Sequence, residues 1–283
     1  MIRNWTLWVL DTFELVTISV LEIISQMLST SLMDFAPQAF ILTQNLAHLL
    51  TGLGLSLFIL LWMMDFVGNA ILLRIKNFEE AAKVLLMLVI GVGLVRGSFF
   101  ILIYLFEGMQ FVLSAVNHLA SPGEIGGNLG ILIFVEESRE FVNGLRGTTE
   151  ILLVFLLIVF FVFTAFGAMI SILLVPIAIF LELFVYSAFA PLPMATLATS
   201  QKQIGIQFLK NYASVCIRGA VVIFCLLLAQ AFLSTDIFNL GDNFALEGLG
   251  FVFFFVMQMF LNLMILHTSI KSAEKFSRTI TGS

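Results

Sequence analysis

The sequence has few charged residues, and this scarcity excludes a soluble domain. Of 283 residues only 11% are charged, whereas 60% are hydrophobic and 31 are phenylalanine. A soluble domain carries about 25% charged residues, so this chain has too few polar groups to cover its own surface. Several apolar runs approach or exceed the ~18 residues that indicate a membrane span. The sequence therefore predicts an all-α, polytopic integral membrane protein.

Cysteine, histidine and catalytic motifs are also scarce. Cys216 and Cys225 lie nine residues apart on one predicted span, too far for a disulfide. The three histidines are scattered and no paired-cysteine spacing exists, so we expect no metal. The sequence has no nucleophile elbow, no phosphate-binding glycine loop, no HExxH motif and no carboxylate pair within a span. We therefore expect no catalytic residue, no cofactor and no enzymatic activity.

Five membrane spans are predicted from the apolar runs. They cover about residues 48–66, 84–105, 151–181, 212–233 and 249–266. The third run continues past Pro176 without a polar break, so we favour one long, kinked helix over two spans joined by a tight turn. An acidic loop, residues 117–150, separates the second span from the third.

Basic residues outside the spans predict the orientation. Eight fall on one side of the membrane: Arg74, Lys76, Lys83, Lys202, Lys210, Lys271, Lys275 and Arg278. Three fall on the other side: Arg3, Arg139 and Arg146. Because positively charged loops stay in the cytoplasm, the amino end is predicted outside and the carboxyl end inside.

Residues 1–40 are predicted to form an extracytoplasmic segment ahead of a transmembrane domain, residues 41–283. Acidic residues interrupt its apolar stretch and no small-residue cleavage site follows, which argues against a signal peptide. The pattern predicts an amphipathic helix with tryptophans suited to the headgroup region, Trp5 and Trp8. Its polar face holds Asp11, Glu14, Glu22 and Ser25. The helix either anchors the terminus at the membrane surface or packs against an extracytoplasmic partner.

Ionisable residues inside the predicted spans are candidate functional residues. They are Asp65, Arg96, Glu107, Glu182 and Arg218. An ion at the bilayer centre costs ~2.5 kcal/mol or more, so each faces a partner or a water-filled cavity. By depth, Arg218 is predicted to meet Glu182, and Arg96 is predicted to reach Asp65. Two interpretations stay open: ion pairs between helices, or an arginine that lines a conduit between subunits.

Small and polar residues at helical spacing predict contacts between spans. Gly93 and Gly97, and the GLGLS and GVG runs, are typical of close helix packing. Gln258 and Asn262 are four residues apart on the fifth span and form a polar stripe. Such a stripe holds helices together more often than it lines a pore.

Two prolines, Pro191 and Pro193, follow the third span. Neither can continue a helix, so the chain is predicted to extend there and MATLATSQKQ to run along the cytoplasmic surface. Apolar side chains then recur four residues apart through Phe208 and Tyr212, which predicts an amphipathic helix entering the fourth span. We call residues 186–212 the elbow.

The elbow and the span after it resemble a known family. The likeness rests on Tyr186, the Ala190-Pro191-Leu192-Pro193 turn, Gly205, Phe208-Leu209-Lys210, Ala213, Cys216 and Gly219. In these positions the chain resembles the TrbL/VirB-six-like polytopic membrane subunits of conjugative type IV secretion systems, and most closely their Gram-positive branch. A departure is Glu182, where the family often has a basic residue. Elsewhere the resemblance extends to span count, charge bias and the acidic outer loop.

The resemblance implies a non-enzymatic channel or scaffold subunit of a bacterial cytoplasmic membrane. Such subunits are thought to form a homo-oligomeric ring beside a VirB-eight-like protein, transfer ATPases and a coupling protein. They help to move relaxase-bound single-stranded DNA, protein or both across the membrane. Lys202 and Lys210 suit contact with an acidic ATPase surface, and membrane lipids are further expected partners. A permease or secondary-transporter subunit is the alternative.

Overall fold

The chain is helical throughout the part that the structure describes. This computed structural model describes residues 2–71, 78–119, 139, 142–144, 147–233, 257, 264–265, 267–268, 271–273 and 275–280, and these residues contain no β-strand. The helices with defined bounds are α1 (Ile2–Ser29), α2 (Leu32–Phe35), α3 (Pro37–Ile71), α4 (Phe78–Leu119), α5 (Thr148–Phe189), α6 (Pro191–Met194) and α7 (Lys202–Leu233). The prediction of an all-α protein is confirmed.

Four of these helices are long and apolar enough to cross a membrane. Their candidate spans are Pro37–Gly68, Ala82–Val112, Ile151–Phe189 and Lys202–Cys225. The predicted multi-pass membrane architecture is therefore confirmed in its general form. The predicted fifth span, residues 249–266, lies almost entirely outside the described residues, so its existence and the orientation of the chain stay predictions.

The third predicted span is one continuous helix that passes through Pro176. Helix α5 has 42 residues and is therefore ~63 Å long at ~1.5 Å per residue, about twice the ~30 Å hydrocarbon core. Proline removes one backbone hydrogen bond from a helix, but membrane helices tolerate this loss where neighbouring groups compensate. The interpretation as one helix rather than two is confirmed, and the kink stays a prediction.

Two helices begin well before the apolar runs that predicted them. Helix α3 begins at Pro37 and α7 begins at Lys202, whereas the spans were predicted from residues 48 and 212. For α7 the earlier start confirms the amphipathic helix that was predicted to enter the fourth span. Proline suits the first position of a helix because its fixed φ is helical and its missing N–H has no intrahelical partner there. Apolar runs mark the part of a helix that suits hydrocarbon, and they do not mark where the helix begins.

Contacts divide the chain into two compact units. The first unit comprises Met1–Ser29, Leu113–Ile177 and Gly219–Phe276, and the second comprises Thr30–Val112, Ala178–Arg218 and Ser277–Ser283. Helices α4, α5 and α7 contribute residues to both units. The predicted division into residues 1–40 and 41–283 stays a prediction.

In the first unit, α1 buries one stripe of side chains, and two residues of this stripe contact α5. The buried residues of this stripe recur at helical steps and are Thr6, Leu10, Phe13, Thr17, Ile24 and Leu28. The rings of Phe13 and Phe161 lie 5.7 Å apart, edge to face, and the Thr17 hydroxyl lies 3.8 Å from the Met169 sulfur. The stripe joins α1 to a membrane-spanning helix through side-chain packing.

In the second unit, the core forms where α3, α4 and the turn after α6 meet. Phe58, Val95 and Ala195 are fully buried there. A Cβ on Gly91 would collide with the Phe58 ring, so the GVG run does make a close contact. A Cβ on Gly93 would meet nothing within 4 Å among the described residues, and one on Gly97 would meet only its own helix. The predicted Gly93–Gly97 contact is therefore not found in this part of the chain.

Candidate functional site

The Pro-x-Pro turn of the elbow is compact and not extended. Pro191–Met194 form one helical turn, and Ala190 before it has helical angles, φ −51° and ψ −39°. Prolines are tolerated there because the first N–H groups of a helix have no intrahelical partner. Beyond this turn, several N–H groups donate to carbonyls three residues back at 3.1 to 3.2 Å. The prediction of an extended chain is wrong.

The elbow lies along the side of α3. Pro191 contacts Gly54, and Asp65, eleven residues farther along α3, accepts hydrogen bonds from the Ser200 N–H and hydroxyl, both at 2.7 Å. Eleven helical residues span ~16 Å. The first six residues of MATLATSQKQ are buried or half-buried by the protein, and its last four are exposed. Its predicted course along the cytoplasmic surface stays a prediction.

Two glycines permit the close approach of the elbow backbone. A Cβ on Gly54 would lie 2.7 Å from the carbonyl oxygen of Pro191, and a Cβ on Gly205 would lie 2.8 Å from that of Pro193. Real Cβ atoms essentially never approach a heavy atom this closely, and a carbonyl cannot move without moving the chain. Both positions therefore require glycine. The predicted role of the GLGLS run in helix contact is confirmed at Gly54.

Aromatic side chains of the elbow contact one another and α4. The Tyr186 ring lies 5.4 Å from the Phe208 ring and 6.1 Å from the Tyr212 ring. Tyr212 is fully buried, and its hydroxyl donates to the Leu102 carbonyl oxygen of α4 at 2.8 Å. These contacts fix α5, α7 and α4 to one another within the second unit.

The two lysines of the elbow remain on its surface. Lys202 and Lys210 are both exposed on α7. Gly205 and Tyr212, which alternate with them along the same helix, are buried. The helix is thus held by one face and presents two positive charges on its accessible positions.

Arg218 and Glu182 form the predicted ion pair between α7 and α5. The Arg218 Nη1 donates to the Glu182 Oε1 at 3.1 Å. The Arg218 side chain is 8% exposed and the Glu182 side chain 41%. A buried charge is strongly destabilising unless it is paired, so the carboxylate offsets the burial of the guanidinium. The contact supports the interpretation of this pair as helix-to-helix packing.

Arg96 does not pair with Asp65. Asp65 binds Ser200 instead, and Arg96 is exposed on α4. Glu107 is also exposed, and eleven residues make about three helical turns, so both charges lie on one face of α4. Phe100 and Tyr104 between them are exposed as well. This face of α4 is uncovered by the described part of the chain.

A second ion cluster lies in the first unit. Arg139 donates to the Asp11 carboxylate from Nε at 2.9 Å and from Nη2 at 2.7 Å, and to the Glu14 carboxylate at 2.6 Å. The acidic face of α1 thus binds a residue of the predicted outer loop, residues 117–150. Gln258 and Asn262, the predicted polar stripe, lie outside the described residues.

Three features of the second unit were not predicted from the sequence. Tyr212 was one position of a predicted apolar stripe, although a tyrosine buried in a span needs a hydrogen-bond partner. Ser200 was not predicted as the partner of Asp65, although serine before a helix start commonly takes part in capping. Arg278 of the predicted cytoplasmic tail lines a polar cavity with Arg218 and Glu182. No sequence signal links the tail to that cavity.

The fold and the site define a class: a multi-pass, all-α membrane protein with a buried proline turn and an ion pair between a buried arginine and a partly exposed glutamate. The chain matches no family model, no curated protein and no solved structure. Function is therefore inferred from the residues themselves.

Proposed function

We propose that the chain is a channel or scaffold subunit of a conjugative type IV secretion system in a bacterial cytoplasmic membrane. The observation that supports this most is the packing of the elbow. Several residues that carry the family resemblance also make the contacts that shape it. Gly205 permits the close turn, Pro191 packs on α3 and Tyr186 packs on Phe208. The residues that carry the resemblance are thus packed together in the elbow, which supports the proposal.

The exposure of the spans supports an oligomeric assembly. Only 22% of the most apolar stretch of α3 and of α5 is buried, against 50% for α7. Exposed apolar side chains suit lipid, but an exposed charge inside a span requires water or protein. We infer that the α4 face with Arg96 and Glu107 meets neighbouring copies in a ring. Arg96, rather than the buried Arg218, is then the arginine that lines the conduit.

The exposed lysines support a role for the elbow in partner binding. Lys202 and Lys210 are exposed on a helix whose backbone position is set by the buried contacts around it. A pair of accessible positive charges suits an acidic face of a transfer ATPase, because complementary charge guides association. Two lysines are too few to hold a nucleic acid by its phosphates alone. We therefore propose that the elbow contacts the transfer ATPase, and that the VirB-eight-like and coupling proteins are further partners of the chain.

The test is reversal of both charges in the donor cell. We expect the double substitution Lys202→Glu and Lys210→Glu to lower the conjugation frequency at least tenfold while the protein still inserts into the membrane. Lys83→Glu is the matched control, since Lys83 is an exposed lysine of α4 outside the elbow. Membrane fractionation and co-purification of the transfer ATPase are measured on the same strains.

Three outcomes decide the proposal. Loss of transfer and of ATPase co-purification in the elbow variant, but not in the control, supports it. Unchanged transfer in the elbow variant removes the elbow as a partner surface. If deletion of the whole gene leaves transfer intact and the purified chain drives solute uptake into liposomes, the permease alternative replaces the secretion proposal.

A further inference from the structure

The second unit contains a small polar cavity that the secretion proposal does not use. Its volume is about 150 Å³, and at about 30 Å³ of liquid volume each, about five water molecules would fill it. Sites for drug-sized ligands begin at about 300 Å³, so the cavity is too small for such a ligand. Cavities that stay empty are apolar, whereas this one is lined by the polar side chains of Glu182, Tyr186, Asn211, Ser214, Arg218 and Arg278.

Glu182 brings a carboxylate to this cavity from within a candidate membrane span. It lies in the Ile151–Phe189 span of α5, and its side chain is 41% exposed. The Arg218 guanidinium donates to it at 3.1 Å, and a carboxylate has about four acceptor sites, so water can bind beside the arginine. A charge within a span faces protein or a water-filled cavity. The cavity is therefore a place where water can solvate this carboxylate.

Ser214 provides an independent sign of water. The residue is 2% exposed, and its hydroxyl has no hydrogen-bond partner among the described residues. A buried hydroxyl without a partner costs about 1 to 3 kcal/mol, so native structures rarely keep one. Ser214 lines the cavity, and buried water typically bonds to polar groups that the protein itself leaves unsatisfied.

We propose that the cavity holds ordered water, which hydrogen-bonds to the Glu182 carboxylate and to the Ser214 hydroxyl. Water suits both groups because it donates to the carboxylate and can donate to or accept from the hydroxyl. The water keeps Glu182 solvated inside the span, so a hydrated ion pair joins α5 to α7. The inference does not depend on the secretion proposal, since it rests on the cavity and its lining.

X-ray footprinting tests for this water, because radiolysis of a water molecule produces a hydroxyl radical that oxidises the side chain beside it. The purified full chain in lipid nanodiscs carries either Ser214→Cys or Ser187→Cys, with Cys216 and Cys225 replaced by alanine. Both serines are 2% exposed, and Ser214 lines the cavity whereas Ser187 does not. We expect position 214 to be oxidised about tenfold faster than position 187, since oxidation of cysteine follows its access to the oxidant. Equal rates would overturn the proposal.

The same two variants in detergent identify what fills the cavity. Fast oxidation of Ser214→Cys in both nanodiscs and detergent supports water as the occupant. If this variant is oxidised quickly in detergent but as slowly as Ser187→Cys in nanodiscs, a lipid group excludes water from the cavity in the bilayer. That result would overturn the proposal.

The native chain provides a second reading that needs no substitution and so cannot be affected by misfolding of a variant. Tyr186 lines the cavity, whereas Tyr212, whose ring lies 6.1 Å from it, is fully buried and does not line it. We expect footprinting in nanodiscs to oxidise Tyr186 several-fold faster than Tyr212. Equal protection of the two rings would contradict the proposal, because water in the cavity would reach Tyr186.

Discussion

The two ion clusters of the molecule hold their charges in opposite ways. In the second unit, the Arg218 side chain is 8% exposed and pairs with the Glu182 carboxylate at 3.1 Å. In the first unit, Arg139 is 34% exposed and binds two carboxylates, Asp11 and Glu14. Water and salt screen the exposed cluster, whereas the buried guanidinium depends on its partner. Removal of a carboxylate should therefore destabilise the fold more at the buried arginine than at the exposed one.

The two regions also differ in whether side chains or main-chain atoms make their contacts. Helix α1 joins α5 through a stripe of side chains, which can adjust to small changes in shape. The Pro191–Met194 turn of the elbow approaches α3 at Gly54 and the start of α7 at Gly205 through main-chain contacts. A main-chain atom cannot move aside as a flexible side chain can. We therefore expect substitutions in the elbow to be severe and those at the α1 cluster to be mild.

The largest effect is expected from Gly205→Ala. The new Cβ would lie 2.8 Å from the Pro193 carbonyl oxygen, and overpacking of this kind destabilises by about 3 kcal/mol. Gly52→Ala is the control, since a Cβ there would meet nothing within 4 Å among the described residues and alanine favours a helix. Thermal unfolding in detergent measures both. Equal unfolding temperatures for the two variants would show that the elbow backbone adapts.

An intermediate effect is expected from Glu182→Gln. The substitution removes the carboxylate charge that the buried Arg218 guanidinium contacts at 3.1 Å, which costs about 2 kcal/mol when the partial exposure of Glu182 is taken into account. Glu107→Gln makes the same chemical change at an exposed position of α4 and is expected to leave the unfolding temperature within about one degree. A loss of stability at Glu107 as large as at Glu182 would contradict the distinction between buried and exposed charges.

The smallest effect is expected from Asp11→Asn. Asp11 is 56% exposed and Glu14 continues to bind Arg139, so the change in the free energy of unfolding should stay below about 0.5 kcal/mol. Raising the salt concentration to 1 M should reduce even this difference, because the charges are screened. If Asp11→Asn lowered the free energy of unfolding by more than Glu182→Gln does, independently of salt, the exposed cluster would be the more important of the two, which would contradict this account.

Composition and periodicity were sufficient to predict the helical membrane fold, because long apolar runs have few structural solutions in a bilayer. The depth of charges within the spans was a weaker guide, since it predicted the Arg218–Glu182 pair correctly and the Arg96–Asp65 pair wrongly. The elbow could not be predicted in the same way. Whether Pro191 starts a helical turn or an extended strand depends on the cover that α3 provides at Gly54, and this cover is a tertiary contact. The pairing of Asp65 with Ser200 follows from that same contact.

Accessibility of the elbow to a membrane-impermeant thiol reagent is the most direct test of the account. Two single-cysteine variants are compared, each with Cys216 and Cys225 replaced by alanine. One carries Lys202→Cys at the start of α7, and the control carries Thr149→Cys at the amino end of α5. We predict that position 202 is labelled in inside-out vesicles and not in intact cells, and that position 149 shows the reverse. Labelling of position 202 from the outside of intact cells would contradict the proposed topology and, with it, the assignment of the elbow to cytoplasmic partners.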